Sequence, residues 1–359
     1  MSTALRKEET AMEGFKKVLV LVAVVALGFA MASCSRDITY VEQPQAGPQS
    51  CFECHSDSTT ALVAAAGQAA YSKHASGSTL NENDSSCKGC HTSEGFVARA
   101  TGTTAPAVIE NATAIVCFTC HAPHTNGDFR LRWNSIATLQ DGTQFDLGKA
   151  NICSACHQSR RNVNTYVSDP VTMSTRFGPH HGPQSDMLIG SNGYEYDSYT
   201  YEISNHRTAT EDGCLDCHFR ATDRYVVGGH SFNMEYDLDG EEVRNVAACA
   251  ECHGEIDDFN EVGAVQDSVH MYAEQLYGIL EAAGLMADGA PRAVTASADS
   301  AGAVYNYMMV IEDRSWGVHN AKYALGLLKS SIQYMQQTPG AATFLAAERP
   351  LILRAQAPR

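Results

Sequence analysis

Apolar positions along the chain fall into three textures. From Val18 to Ala32 they run almost unbroken, VLVLVAVVALGFAMA, after Lys16 and Lys17. That run is too short, and too closely followed by a processing site, for a good membrane span, so it predicts an export leader. From 51 to about 262 the apolar residues hold no lasting period, which predicts short helices separated by coil. Within that region, WNSIATLQDGTQFDLG (133 to 148) reads as a hairpin turning at Asp141-Gly142. DLDG (237 to 240) lacks the remaining positions of a calcium loop and reads as a turn. The interval 160 to 213 is rich in Gly, Pro and Asn and carries four tyrosines in YEYDSYTY, so it predicts a loop. The third texture is periodic. Val265, Val269, Leu276, Ile279 and Leu280 recur at helical spacing, as do Leu325, Leu328, Ile332 and Met335, predicting amphipathic helices over 264 to 284 and 320 to 337.

Cysteine gives the irregular middle its meaning. All but one of the 13 cysteines fall into copies of Cys-x-x-Cys-His. The copies are Cys51/Cys54/His55, Cys87/Cys90/His91, Cys117/Cys120/His121, Cys153/Cys156/His157, Cys214/Cys217/His218 and Cys249/Cys252/His253. Two thiols so spaced can add to the vinyl groups of a haem while the histidine becomes the proximal iron ligand, the attachment signature of haem c. Zinc ribbons also pair cysteines, but need no histidine after every pair. Redox-active pairs come singly beside a βαβ pattern that is absent here, and disulfides across two-residue gaps close almost no loop. Six covalently bound haems are expected. Motif starts at 51, 87, 117, 153, 214 and 249 are too uneven for a solenoid. So little chain per haem predicts that the haems form most of the apolar interior, with the tyrosines of YEYDSYTY packed on haem edges or neighbouring chain.

The remaining cysteine, Cys34, ends MASC, which resembles the lipobox of bacterial lipoproteins. Ordinary cleavage after Ala30-Met31-Ala32 is the alternative, but it would leave an odd thiol in an oxidising compartment. Lipidation at Cys34 is therefore expected. The organisation read from the sequence is a signal peptide over 1–33, a lipid-anchored tether over 34–50, a haem-binding region over 51–262 and a C-terminal helical region over 263–359 that supplies a distal ligand. The protein is expected to be exported and held at the outer membrane, on its periplasmic or cell-surface face. With 25 Lys+Arg against 41 Asp+Glu and a net charge of −16, nucleic acid is excluded as a partner, whereas cationic proteins, metal cations and mineral surfaces are compatible.

The second iron ligand decides what such haems do. A filled sixth position favours electron transfer, and an open one permits substrate chemistry. Eight histidines lie outside the motifs, enough to close every iron. His124, three residues after His121, emerges on the proximal side of its own haem and can ligate only a neighbouring one. His74 and His206 precede the next motif closely, a placement suited to ligation between successive haems. The glycines before His230 would let backbone approach a porphyrin. His180 and His181, adjacent on an extended segment, would point oppositely and serve two haems or leave one spare. His319 precedes the last helix and can be aimed at a haem in the preceding chain. His270 reads as a plain helix residue.

GKANICSACHQSRR, GPHHGPQSDML, GGHSFNM and GVHNAKYALGLL together resemble outer-surface multihaem, including hexahaem, c-type cytochromes of metal-reducing, Geobacter-like bacteria. The resemblance implies a multihaem cytochrome c fold, mostly coil with short α-helices wrapped around stacked haems, little β and C-terminal helices. It implies electron transfer through bis-histidine haems in anaerobic or extracellular respiration. Redox partner proteins, outer-membrane conduit components and extracellular acceptors such as metal oxides would be its partners. Two alternatives remain at this level: a multihaem reductase of nitrite, hydroxylamine or sulfur oxyanions with one open haem, and a self-assembling subunit of a conductive filament. Cys-x-x-Cys-Lys, the motif of the ammonia-forming nitrite reductase type, is absent. The lipid anchor and the lack of any histidine before Cys51 count against the filament.

Overall fold

Each described Cys-x-x-Cys-His motif folds into a single helical turn. In the computed structural model, which describes residues 60–76, 83–84, 86–126 and 128–337, these turns fall at Lys88–His91, Cys117–Cys120, Asn151–Ser154, Cys214–His218 and Ala250–His253. The histidine amide donates to the carbonyl of the first motif cysteine at 3.1 Å (His91 to Cys87), 3.0 Å (His121 to Cys117), 2.8 Å (His157 to Cys153) and 2.9 Å (His253 to Cys249). That bond is an α-helical one, and residues three and four apart share a helix face, so both thiols and the imidazole gather on one side. The first motif and the leader, residues 1–59 with Cys34, Cys51, Cys54 and His55, lie outside the described residues.

Longer elements frame these turns. In chain order the helices used below are α1 (Thr60–Ala69), α2 (Ser93–Ala100), α3 (Gln184–Ile189), α4 (Val265–Ala282), α5 (Ala298–Asp313) and α6 (Ala321–Gln337). The sheets are two-stranded ladders only: β1 (Ala137–Thr138) with β2 (Gln144–Phe145), β3 (Val171–Thr172) with β8 (Thr295–Ala296), β4 (Glu235–Leu238) with β5 (Glu241–Arg244), and β6 (Met286–Ala287) with β7 (Ala290–Pro291). The hairpin expected over 133 to 148 is present, with Ala137 opposite Phe145 and Gly142 at φ +94 in its turn. DLDG forms the turn of the β4–β5 hairpin, with Asp239 and Gly240 both at positive φ, the backbone of a tight primed turn. The chain is thus mostly coil with short helices, little sheet and C-terminal helices, as expected.

The C-terminal part differs from expectation in one respect: it is built around a side-chain core, which it shares with Val163, Met173, Phe177 and Met187 of the preceding chain. Val269, Leu276 and Leu280 of α4, Val304, Tyr305 and Met309 of α5, and Tyr323, Leu327 and Leu328 of α6 are all fully buried in one cluster. The two helices read from the sequence are present, and α5 between them is an addition. Ser297 caps α5 by accepting from the Ser300 amide. Gly302 lets the Tyr194 ring lie against the helix, for a Cβ there would sit 2.2 Å from Tyr194 Cδ1. The tyrosines of YEYDSYTY pack on neighbouring chain. Tyr194 donates to Asp299 Oδ1 at 2.7 Å, Tyr196 to the Asp299 carbonyl at 2.8 Å and Tyr201 to Ser330 Oγ at 2.8 Å. Among the described residues, no helix is long and apolar enough to cross a membrane.

Candidate haem sites

Each of the five described motif histidines has a partner histidine from outside the motifs beside it. Ring centroids are 6.3 Å apart for His91 and His180, 6.4 Å for His121 and His230, 5.9 Å for His157 and His74, 6.1 Å for His218 and His319, and 6.1 Å for His253 and His206. A metal bound by two opposed imidazoles, at about 2.0 Å from each nitrogen, sets the ring centroids about 6.3 Å apart. Ordinary aromatic pairs span roughly 4.5–7 Å, so distance alone does not distinguish the two arrangements. The composition of the pairs does. Each of these five pairs joins one motif histidine to one other histidine, and every described motif histidine is taken once. The further histidine contact, His180 with His181, is shorter at 5.1 Å. Interplanar angles run from 39° to 86°, a spread that rotation of two planes about a shared nitrogen–metal–nitrogen axis permits.

The ring nitrogens are oriented to match. Nδ1 of His121 lies 2.7 Å from the Phe129 carbonyl, that of His206 2.8 Å from the Val318 carbonyl and that of His218 2.8 Å from the Phe232 carbonyl. Carbonyls only accept, so Nδ1 carries the proton and the Nε2 lone pair is left for a metal. His157 Nδ1 faces Gln184 Oε1 at 3.1 Å, and Gln184 Nε2 donates to the carbonyls of Glu312 and Asp313, which fixes the amide oxygen towards the ring. His319 Nδ1 meets Asp313 Oδ1 at 2.7 Å. Burial pushes His74 and His218 down to about 4 and lowers His157, His180 and His230. These imidazoles are neutral at pH 7, the form that binds metal. His319 is raised: burial opposes the charge, but the Asp313 carboxylate and its hydrogen bond outweigh it.

The motifs also touch one another. Cys90 lies beside Cys156, and Cys153 beside Cys214. Arg99 of α2 reinforces the first of these junctions, with Nη1 3.6 Å from Cys90 Sγ and 2.7 Å from the Ala155 carbonyl. Phe96, Ile152 and Ala155 form a small buried cluster against Cys120, Cys153 and Cys156. The fourth motif therefore sits among the second, third and fifth, and Cys217 of the fifth faces Cys249 and Cys252 of the sixth. Among the described residues, no group of three or more His, Cys, Asp or Glu could hold a bare metal ion. The donor set fits iron already seated in a macrocycle, needing two axial nitrogens and two thiols per group.

Three histidines stand outside these pairs. His181 Nδ1 is 2.7 Å from Glu312 Oε2, with a mostly exposed side chain. Its ring centroid is 5.1 Å from that of His180, too close for a metal between them. His180 itself has φ +78, so the segment is not extended and the two rings do not point oppositely. His270 stacks on Trp316 at 3.6 Å, a helix-surface contact as expected. His124 packs on the Phe118 ring at 5.7 Å. The glycines before His230 serve protein packing: a Cβ on Gly228 would lie 2.1 Å from the Arg220 carbonyl oxygen, and one on Gly229 2.3 Å from Gln68 Oε1. Sequence reasoning missed Asp313, Gln184 and the carbonyl acceptors, since nothing in the sequence marks a partner that contacts a ligand's far nitrogen.

No protein-family model matches the chain, and no curated protein matches it. Among solved structures the chain is similar to the outer cell wall cytochrome OcwA, at 23% identity and a TM-score of 0.49, over 75% of this chain and 50% of that one. It is also similar to an undecahaem cytochrome from the S-layer of Carboxydothermus ferrireducens, at 19% identity and a TM-score of 0.43, over 76% of this chain and 40% of that one. Both neighbours are cytochromes by name. The chain spans half the length of the first and less of the second.

Proposed function

We propose that the chain is an exported multihaem c-type cytochrome that passes electrons through six haems, each held by one motif and a second histidine. The observation that carries this reading is the one-to-one pairing of motif histidines with outside histidines at the spacing of a shared metal. In it, His91, His121, His157, His218 and His253 are proximal ligands, and His180, His230, His74, His319 and His206 are their distal partners. His124 and His181 remain the candidates for the second ligand of the haem of Cys51, Cys54 and His55. When bound, haem iron supplies a one-electron couple, and filled axial positions keep it low-spin. The chain's own residues orient the imidazoles and bring neighbouring motifs into contact.

A filled axial set disfavours the reductase reading, which needs an open iron. Lipid attachment at Cys34, outer-membrane location and extracellular acceptors belong to the same proposal, and the acidic charge suits cationic redox partners. The test is mass spectrometry of the purified holoprotein with magnetic resonance of its oxidised form. Six covalent haem additions and exclusively low-spin signals are expected. A high-spin haem at neutral pH would return the reductase reading.

A further inference from the structure

Among the histidines whose Nδ1 partner is described, His319 alone of the proposed ligands faces a carboxylate. His121, His206 and His218 face carbonyls and His157 faces an amide oxygen, whereas His319 Nδ1 lies 2.7 Å from Asp313 Oδ1. Asp313 is 3% exposed at the C-terminal end of α5. Its second oxygen accepts from the Ser315 hydroxyl, and Ser315 Oγ in turn accepts from the His319 amide at 3.2 Å. The carboxylate is thus built into the His319 segment. His181 has a carboxylate partner too, Glu312, but the His181 side chain is largely exposed and His181 is not among the ligands assigned to a described motif.

We infer that Asp313 is a positioning residue that lowers the reduction potential of the haem held by His218 and His319, an inference that rests on the bis-histidine reading. A buried carboxylate draws the Nδ1 proton towards itself and enriches the opposite nitrogen in electron density. Ferric haem carries one more positive charge than ferrous haem, so a stronger axial donor and a nearby negative charge both favour the ferric form. A carbonyl has no net charge and acts more weakly. Among the ligands whose Nδ1 partner is described, His319 is therefore the strongest donor, and its carboxylate lowers the potential of the His218–His319 haem.

Potentiometric titration of the purified holoprotein, followed through each haem's magnetic resonance signal, tests this in three forms: wild type, Asp313→Asn and Ser315→Ala. Asparagine keeps an oxygen facing Nδ1 and removes the charge. Asp313→Asn is expected to move one transition to more positive potential by at least about tenfold in the ferric-to-ferrous ratio, or about 59 mV for one electron. Ser315→Ala frees Asp313 from its competing donor and is expected to move the same transition in the negative direction. All transitions staying within threefold in both variants would overturn the inference while leaving bis-histidine ligation standing. Missing low-spin signals in the wild type would overturn the ligation reading itself. If Asp313→Asn does not assemble, the direction of the Ser315→Ala shift decides the matter.

Discussion

A histidine ligand is defined by both of its nitrogens, and here the far one is governed by local chain. Carbonyls of Phe129, Val318 and Phe232 hold His121, His206 and His218 in one tautomer, with the other nitrogen turned towards the partner ring. The pairs differ in the relative rotation of their rings. His206 and His253 stand at 86°, close to perpendicular, whereas His218 and His319 stand at 39°. Perpendicular axial planes leave the two π-type orbitals of low-spin ferric iron nearly degenerate, which gives a strongly anisotropic resonance. The His206–His253 haem is expected to give the most anisotropic signal of the five described pairs. His206→Ala should abolish that signal and introduce one high-spin haem, read in the same spectrum of the oxidised holoprotein. An unchanged spectrum would remove His206 from the ligand set.

At the scale of elements, histidines far apart in sequence meet because a few short helices strap the motif turns together. α3 does this for the fourth motif: Gln184 takes the Nδ1 of His157, the Ser185 amide donates to the His157 carbonyl at 2.9 Å, and Asp186 accepts from the Ser159 amide at 2.7 Å. α5 does it for the fifth, ending at Asp313. Its own seating depends on Gly302 against Tyr194, and here a paired substitution is informative. Gly302→Val forces a Cβ into the ring and is expected to destabilise the C-terminal core by about 1–3 kcal/mol. Gly278→Ala in α4, where a Cβ meets nothing within 4 Å, is expected to stabilise by about 0.5–1 kcal/mol. Denaturant unfolding followed by near-ultraviolet dichroism of the tyrosines reads both; equal effects would mean that α5 does not need the close approach. The same contrast explains what was legible in the sequence. α4 and α6 carry one apolar stripe each and announce themselves by period. In α5 nearly every side from Ala301 to Val310 is buried, polar Asn306 included, so no stripe survives to be read. Motif histidines were legible because covalent attachment fixes their spacing. Their partners were legible only as a pool, because pairings such as His74 with His157 are made by tertiary folding and leave no trace in local sequence.

Over the whole described chain, on the electron-transfer reading proposed above, the contacts between motifs set which haems would exchange electrons directly. Motif order in the sequence suggests a line, whereas the structure puts the fourth motif at a junction: Cys156 meets Cys90 of the second, Cys153 meets Cys214 of the fifth, and Cys120 of the third lies near Cys153. The sixth is reached past the fifth, through Cys217 beside Cys249 and Cys252. Electrons moving between the second haem and the fifth or sixth are therefore expected to pass the fourth, whereas the third site also touches the fifth motif through His230 packed on Phe219. His74→Met, which changes the second ligand of the fourth haem and leaves its Cys-x-x-Cys-His motif intact, tests this, because a thioether ligand raises the potential of its haem. A raised fourth haem holds the electron and makes the onward step uphill. Rapid photoreduction followed by freeze-quench resonance should show exchange across the junction slowed about tenfold or more, since each 1.4 kcal/mol of added barrier is a factor of ten. His206→Met, at the sixth haem at the end of the chain of contacts, should leave exchange among the second, third, fourth and fifth haems within about twofold, under that same relation. Equal slowing in both variants would mean that the route does not branch at the fourth motif.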